Sequence, residues 1–178
     1  MSKETERFQT MGTILALVIS IIAMITSIYE ANIMKSQQTA MVWPYIDVTQ
    51  QYSDEGFGFR LENKGTGPAI IKSVQISFKG EPMETIDELM DALNPKRTFG
   101  YDIMTNNSIN GKVISANERI IIFGLPHNDE TRVVQSNLQY LRLELGYESV
   151  LGDKWVYDSK DESHNEVEKF ELKTEFKN

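Results

Sequence analysis

MGTILALVISIIAMITSIY, residues 11–29, carries no charged side chain and decides the class of this chain. Its nineteen residues, at the α-helical rise, make a rod of roughly 28 Å, which matches the ~30 Å hydrocarbon core of a bilayer. The run is longer than the apolar region of a signal peptide, no small-x-small cleavage site follows it, and the chain has no cysteine for lipidation. A retained transmembrane helix is therefore expected.

The helix has two unlike faces. Gly12, Ala16, Ser20, Ala23 and Ser27 fall within an arc of roughly 80° at 100° per residue, while Leu17, Ile21, Ile25 and Ile28 cover another. Small residues at this spacing let two backbones approach closely, so the small face is a candidate packing face for copies of the same helix. Thr13, Ser20 and Ser27 also repeat every seven residues. That period suits a left-handed bundle, and the stripe could line a narrow polar path within one.

Outward from this block, residues 1–10 form an N-terminal tail with Lys3 and Arg7, and residues 30–43 tolerate helix up to the Trp43-Pro44 pair. After the apolar block only Lys35 lies close, so the positive-inside rule puts the N-terminus in the cytoplasm and the soluble part outside it. The whole net charge of −8 belongs to that soluble part, where fifteen basic face twenty-three acidic residues. The basic residues are scattered among the acids, which argues against binding a nucleic acid polymer. With no cysteine, thiol catalysis, disulfides and thiolate metal sites are excluded together.

From residue 44 to 178 the period of the pattern becomes two. Phe57, Phe59 and Leu61 alternate with Gly58, Arg60 and Glu62, and Val74, Ile76 and Phe78 with Gln75, Ser77 and Lys79. Between these two strands, residues 63–68 (NKGTGP) are expected to reverse the chain. One short helix should start at Pro82, bury Met83, Ile86, Leu89, Met90 and Leu93, and stop at Pro95. Its acids Glu84, Asp87, Glu88 and Asp91 read as a solvated face. Further strands are expected at 99–103, 112–115 and 119–123, the last buried on both faces, then through Leu141 to Tyr147 and Trp155 to Tyr157. A tight turn at Gly152-Asp153, a charged loop over 158–166 and a closing strand from Phe170 to Phe176 complete the pattern. Such a succession predicts an antiparallel, immunoglobulin-like β-sandwich.

Trp43-Pro44-Tyr45 after a membrane helix, Asn63-x-Gly65-x-Gly67-Pro68-Ala69, and Tyr147-x-Ser149 followed by Trp155 resemble an uncharacterised group of bacterial single-pass membrane proteins. The likeness spans most of the chain. It implies a bacterial inner-membrane location and this architecture, and no reaction. Members of that group carry cysteines around the Tyr-x-Ser segment where this chain has Gly146, Glu148 and Lys154, so a thiol role has no counterpart here.

No Gly-x-Ser-x-Gly elbow, Walker loop, Gly-x-Gly-x-x-Gly or His-Glu-x-x-His motif occurs. No catalytic residue, cofactor or metal site is expected. His127 and His164 read as ordinary exposed histidines, and Asp153, Asp158 and Asp161 as solvating charge. Tyr147, Trp155 and Tyr157 are a candidate ligand surface, or else core. The expected function is a membrane-anchored, homo-oligomeric interaction module that binds a protein or small ligand. The alternative is a membrane effector whose bundled helices permeabilise the lipid membrane after the soluble part senses a signal such as a nucleotide messenger.

Overall fold

Between Gly12 and Met41 no glycine or proline interrupts a sequence rich in Ile, Leu, Met and Ala, and residues 3–41 form one helix, α1 (Lys3–Met41). The computed structural model describes residues 3–53, 56–100, 105–106, 108–170 and 176. The helix takes in most of the stretch expected as a tail and runs through the expected extension. Over Glu6–Met41 it is long and apolar enough to cross a membrane, and none of its most apolar window is buried. The rest of the chain, Val42–Asn178, is a second compact unit.

That unit is built on two antiparallel sheets. One has the order β1 (Ile46–Tyr52), β2 (Gly56–Asn63), β7 (Arg119–Pro126), β5 (Thr105–Asn106). The other runs β10 (Ser163–Glu166), β9 (Lys154–Asp158), β8 (Leu141–Glu148), β3 (Ala69–Phe78), β4 (Glu81–Met83), with β6 (Val113–Ile114) also on β3. Side chains from both sheets share one core: Ile46, Phe57, Leu61 and Phe123 from the first, Ile71, Val74, Leu145, Tyr147 and Tyr157 from the second. The Tyr157 hydroxyl reaches across to donate to the Val48 carbonyl at 3.3 Å.

Of the positions read as inward in β2 and β3, Phe57, Leu61, Val74, Ile76 and Phe78 are buried and Phe59 partly so, while Gly58 and Ser77, read as outward, are buried too. The chain does not reverse between them within one sheet, however. β2 pairs with β1 and β7, while β3 pairs with β8, β4 and β6, so residues 63–69 carry the chain from one sheet to the other.

Other expectations are corrected by tertiary pairing. Pro82 lies in β4, opposite Ser77, and the helix α2 (Ile86–Leu93) begins after it. Its start is set by reciprocal capping: the Thr85 hydroxyl accepts from the Glu88 amide at 3.2 Å and the Glu88 carboxylate from the Glu84 amide at 2.8 Å. Removing that hydroxyl with Thr85→Ala is expected to lower stability by about 1 kcal/mol, read as a shifted denaturation midpoint of the full chain.

A second short helix, α3 (Arg132–Asn137), and a 3-10 turn at Leu138–Tyr140 occupy a stretch in which no helix was expected. They follow a turn in which the buried Thr131 hydroxyl donates to the Pro126 carbonyl at 2.7 Å. The run Ile120–Phe123 is not buried on both faces, since Ile121 is 43% exposed. β1 was not foreseen, its outward positions being polar, and β10 lies in the expected loop, held by register with β9. The expected strand at 99–103 is not strand at Phe99 and Gly100, and residues 101–103 lie outside the described residues. Residues 171–175 of the expected closing strand also lie outside them; Phe176 is buried, and its amide donates to the Val74 carbonyl at 2.8 Å.

Candidate functional site

Two separated motifs meet where the β-domain begins. Period two puts Asn63 on the buried face of β2 after Phe57 and Leu61, and it is fully buried. A primary amide offers two acceptor and two donor positions, and Asn63 uses all four. Its Oδ1 accepts from the Tyr45 amide at 3.1 Å and the Gly65 amide at 3.0 Å. Its Nδ2 donates to the Gly67 carbonyl at 2.8 Å and the Ile114 carbonyl at 3.0 Å. One side chain thus joins the start of the domain, the crossover loop and the second sheet.

The loop also holds residues 43–45 through its own backbone. The Lys64 amide donates to Tyr45 at 2.7 Å, and the Thr66 and Gly67 amides to Trp43 at 2.9 and 3.2 Å. Gly65 and Gly67 are glycines because the two segments lie this close. A Cβ on Gly65 would overlap the Trp43 carbonyl oxygen and the Tyr45 nitrogen, and one on Gly67 would overlap the backbone of Val42. Outside this joint, Lys64 closes an ion pair with Asp47 at 2.5 Å.

Aromatic rings gather beside it. Trp43 meets Tyr45 edge-on at 5.4 Å, Tyr45 stacks on His164 at 4.1 Å, and Tyr147 stacks on Trp155 at 5.7 Å. The Tyr147 hydroxyl lies 3.0 Å from His164 Nδ1. Of the three aromatics read as a candidate ligand surface, Tyr147 and Tyr157 are core residues, 1% and 0% exposed, and Trp155 is partly buried. They come together as packing, not as an open recognition face. Burial raises the Tyr147 phenol far above its usual range and pushes Tyr157 up to about 12, so both stay neutral hydroxyls.

His127 is exposed as expected, whereas His164 is half-buried. Burial lowers its pKa below the ordinary 6.5, opposed by the nearby Asp47 charge. Local sequence held no sign of this, because its partners Tyr45 and Tyr147 come from distant parts of the chain.

The acids have structural partners of their own. Asp158 receives Arg142 through two bonds of 2.9 and 2.5 Å, which hold its carboxyl below the usual range, and Asp153 accepts from Ser149 at 3.2 Å. Asp161 accepts from the Ser163 amide at 3.2 Å. Among the described residues no three histidine or carboxylate groups gather as metal ligands. A cleft of about 340 Å³ lies along β2 and β7, lined by Gln51, Ser53, Phe59, Ile121 and the backbones of Gly58 and Gly124. Its described lining offers hydrogen-bonding and apolar groups.

On α1 the small positions Gly12, Ala16, Ser20, Ala23 and Ser27 are all exposed, and a Cβ on Gly12 would meet nothing within 4 Å. The hydroxyls of Thr13 and Ser20 donate to the carbonyls of Gln9 and Ala16 in their own helix, at 2.9 and 2.8 Å. The small face therefore offers close approach, and these two hydroxyls need no second helix to satisfy them.

No curated protein and no solved structure matches the chain. The family described as Domain of unknown function (DUF8453) matches residues 10–176, from the start of the apolar block to the buried Phe176. With the match covering nearly all of its length, the chain belongs to that family.

Proposed function

We propose that this chain is a single-pass protein of the bacterial inner membrane, without catalytic activity, that self-associates through α1 and binds a protein or small ligand with an immunoglobulin-like β-domain. The observation that carries this reading is the bare helix. Every described apolar side chain from Met11 to Ile28 is exposed by 46% or more wherever it is large, and so long an apolar surface is stable only under lipid or under copies of itself. The small face of Gly12, Ala16, Ser20, Ala23 and Ser27 supports the second cover. The sandwich reading is supported by repeated passage of the chain between two antiparallel sheets over one core.

Self-association is tested by replacing Ala16, Ser20 and Ala23 together with leucine and cross-linking the full chain in bilayers. The cross-linked oligomer is expected to fall several-fold, because bulky side chains hold the backbones apart. An unchanged oligomer would remove assembly through this face from the proposal.

A second reading keeps the stripe of Thr13, Ser20 and Ser27 as the lining of a bundle, with the β-domain as sensor of an internal signal. Self-satisfied hydroxyls can face water in such a path at little cost. Reporters fused after Asn178 separate the two: an extracytoplasmic end supports the binding module, and a cytoplasmic end brings the effector forward.

A further inference from the structure

β10 is a weakly held strand. Among the described strands it is the outermost of its sheet and pairs with β9 alone, and its Asn165 and Glu166 are exposed. His164 is the residue of β10 that reaches the interior. Its ring stacks on Tyr45 at 4.1 Å and 29°, lies 5.1 Å from the Tyr157 ring and meets Tyr147 edge-on at 6.5 Å, with Nδ1 at 3.0 Å from the Tyr147 hydroxyl. Tyr45 is itself held by Asn63. Tyr157 anchors β9 to β1 through the Val48 carbonyl, and the His164 imidazole connects β10 to the first residues of the domain.

We infer that His164 is a pH-sensitive latch, its neutral ring fastening β10 to Tyr45 and its protonation releasing that strand. Neutral imidazole can accept at Nδ1 from the Tyr147 hydroxyl. Once protonated, both ring nitrogens are donors, so the almost fully buried Tyr147 hydroxyl loses His164 as an acceptor and a charge is placed among aromatic rings.

The surrounding charges do not reverse this. From the β1 side Asp47 favours the charged ring, but burial outweighs it and Asp47 already binds Lys64. From β8 and β9 the facing titratable groups are the neutral phenols Tyr147 and Tyr157, while Asp158 of β9 is tied to Arg142. On the hairpin itself Glu162 and Glu166 are exposed to solvent, where their fields are screened.

The sign follows from linkage. The closed state binds the proton less tightly than the open one, so the latch has full strength above pH 6.5 and weakens as pH falls from there toward the depressed value. The inference is independent of which side of the membrane the domain occupies.

The two tryptophans of the chain flank the latch, Trp43 against Tyr45 and Trp155 against Tyr147. The test is a titration of the full chain in detergent micelles from pH 8 to 5, following tryptophan emission, the His164 ring proton by NMR, and amide exchange along β9, β10 and β8. Expected are a His164 midpoint below 6.5, an emission change with that same midpoint, and faster exchange in β10 while the β3–β8 ladder stays protected. His164→Phe, which keeps a stacking ring and cannot titrate, should abolish the emission change, and His127→Gln should leave it intact. The inference is overturned if His164 titrates at or above 6.5, if emission stays flat, if the change survives in His164→Phe, or if β8 opens together with β10. Should His164→Phe not fold, the NMR and exchange profiles of the unaltered chain decide alone.

Discussion

Asn63→Ala is expected to cost the β-domain about 4 kcal/mol or more, a large part of the 5–15 kcal/mol that holds a typical domain together. The side chain is fully buried and makes four hydrogen bonds, and alanine leaves the amides of Tyr45 and Gly65 and the carbonyls of Gly67 and Ile114 without those partners. Each buried backbone group stranded in this way carries a penalty of roughly 1–3 kcal/mol, eased where water can enter. Asn63→Asp is not a rescue, because it aims a carboxylate oxygen at two carbonyls. Denaturant unfolding of the full chain, followed by tryptophan emission, measures the loss. A change below about 1 kcal/mol would mean that the backbone bonds of residues 64–67 hold the joint without the amide.

Gly67→Ala should cost about 3 kcal/mol, at the upper end for overpacking. The added methyl would meet the carbonyl oxygen, carbonyl carbon and Cα of Val42, which are backbone atoms and cannot rotate away as a side chain could. The two segments must then part, stretching the bonds from Thr66 and Gly67 to Trp43. Gly80→Ala is the control: a Cβ there meets nothing within 4 Å, and its φ of +90° carries only the strain of a left-handed residue, about 1 kcal/mol. If both substitutions cost the same, backbone conformation rather than close approach explains Gly67.

The Asn63 amide was half visible in the sequence. Local sequence put it at the head of a reversing segment; β2 instead runs through Asn63 and buries it, and a buried amide must be satisfied. Which four groups satisfy it was not visible, because Tyr45 and Ile114 arrive from a different segment and a different sheet. The Trp43-Pro44-Tyr45 and Asn63-to-Ala69 motifs were each legible as a junction and a turn. That one clasps the other is visible only in the hydrogen bonds and glycine contacts between them.

Strength of local signal separates what was read from what was missed. Residues 11–29 needed no partner to declare a membrane-length helix, since an uninterrupted apolar run specifies it through backbone hydrogen bonds within the segment. Strands β2 and β3 declared themselves by strict alternation. β1 and β10 did not, because their side chains are largely polar and their strand geometry comes from bonds to β2 and β9. The same holds for Pro82, which local preference put in a helix and pairing with Ser77 put in a strand.

By itself, then, the sequence determined a helix long enough to span a bilayer, a β-rich domain after it and the apolar positions of that domain's core, all of which depend on the period of apolar residues within single segments. Tertiary structure alone decided which strands share a sheet, that Asn63 joins three segments, that Tyr147 and Tyr157 are core, and that His164 lies against Tyr45. Those outcomes depend on contacts between residues tens to more than a hundred positions apart, whose cost in chain entropy is met only when the whole core closes.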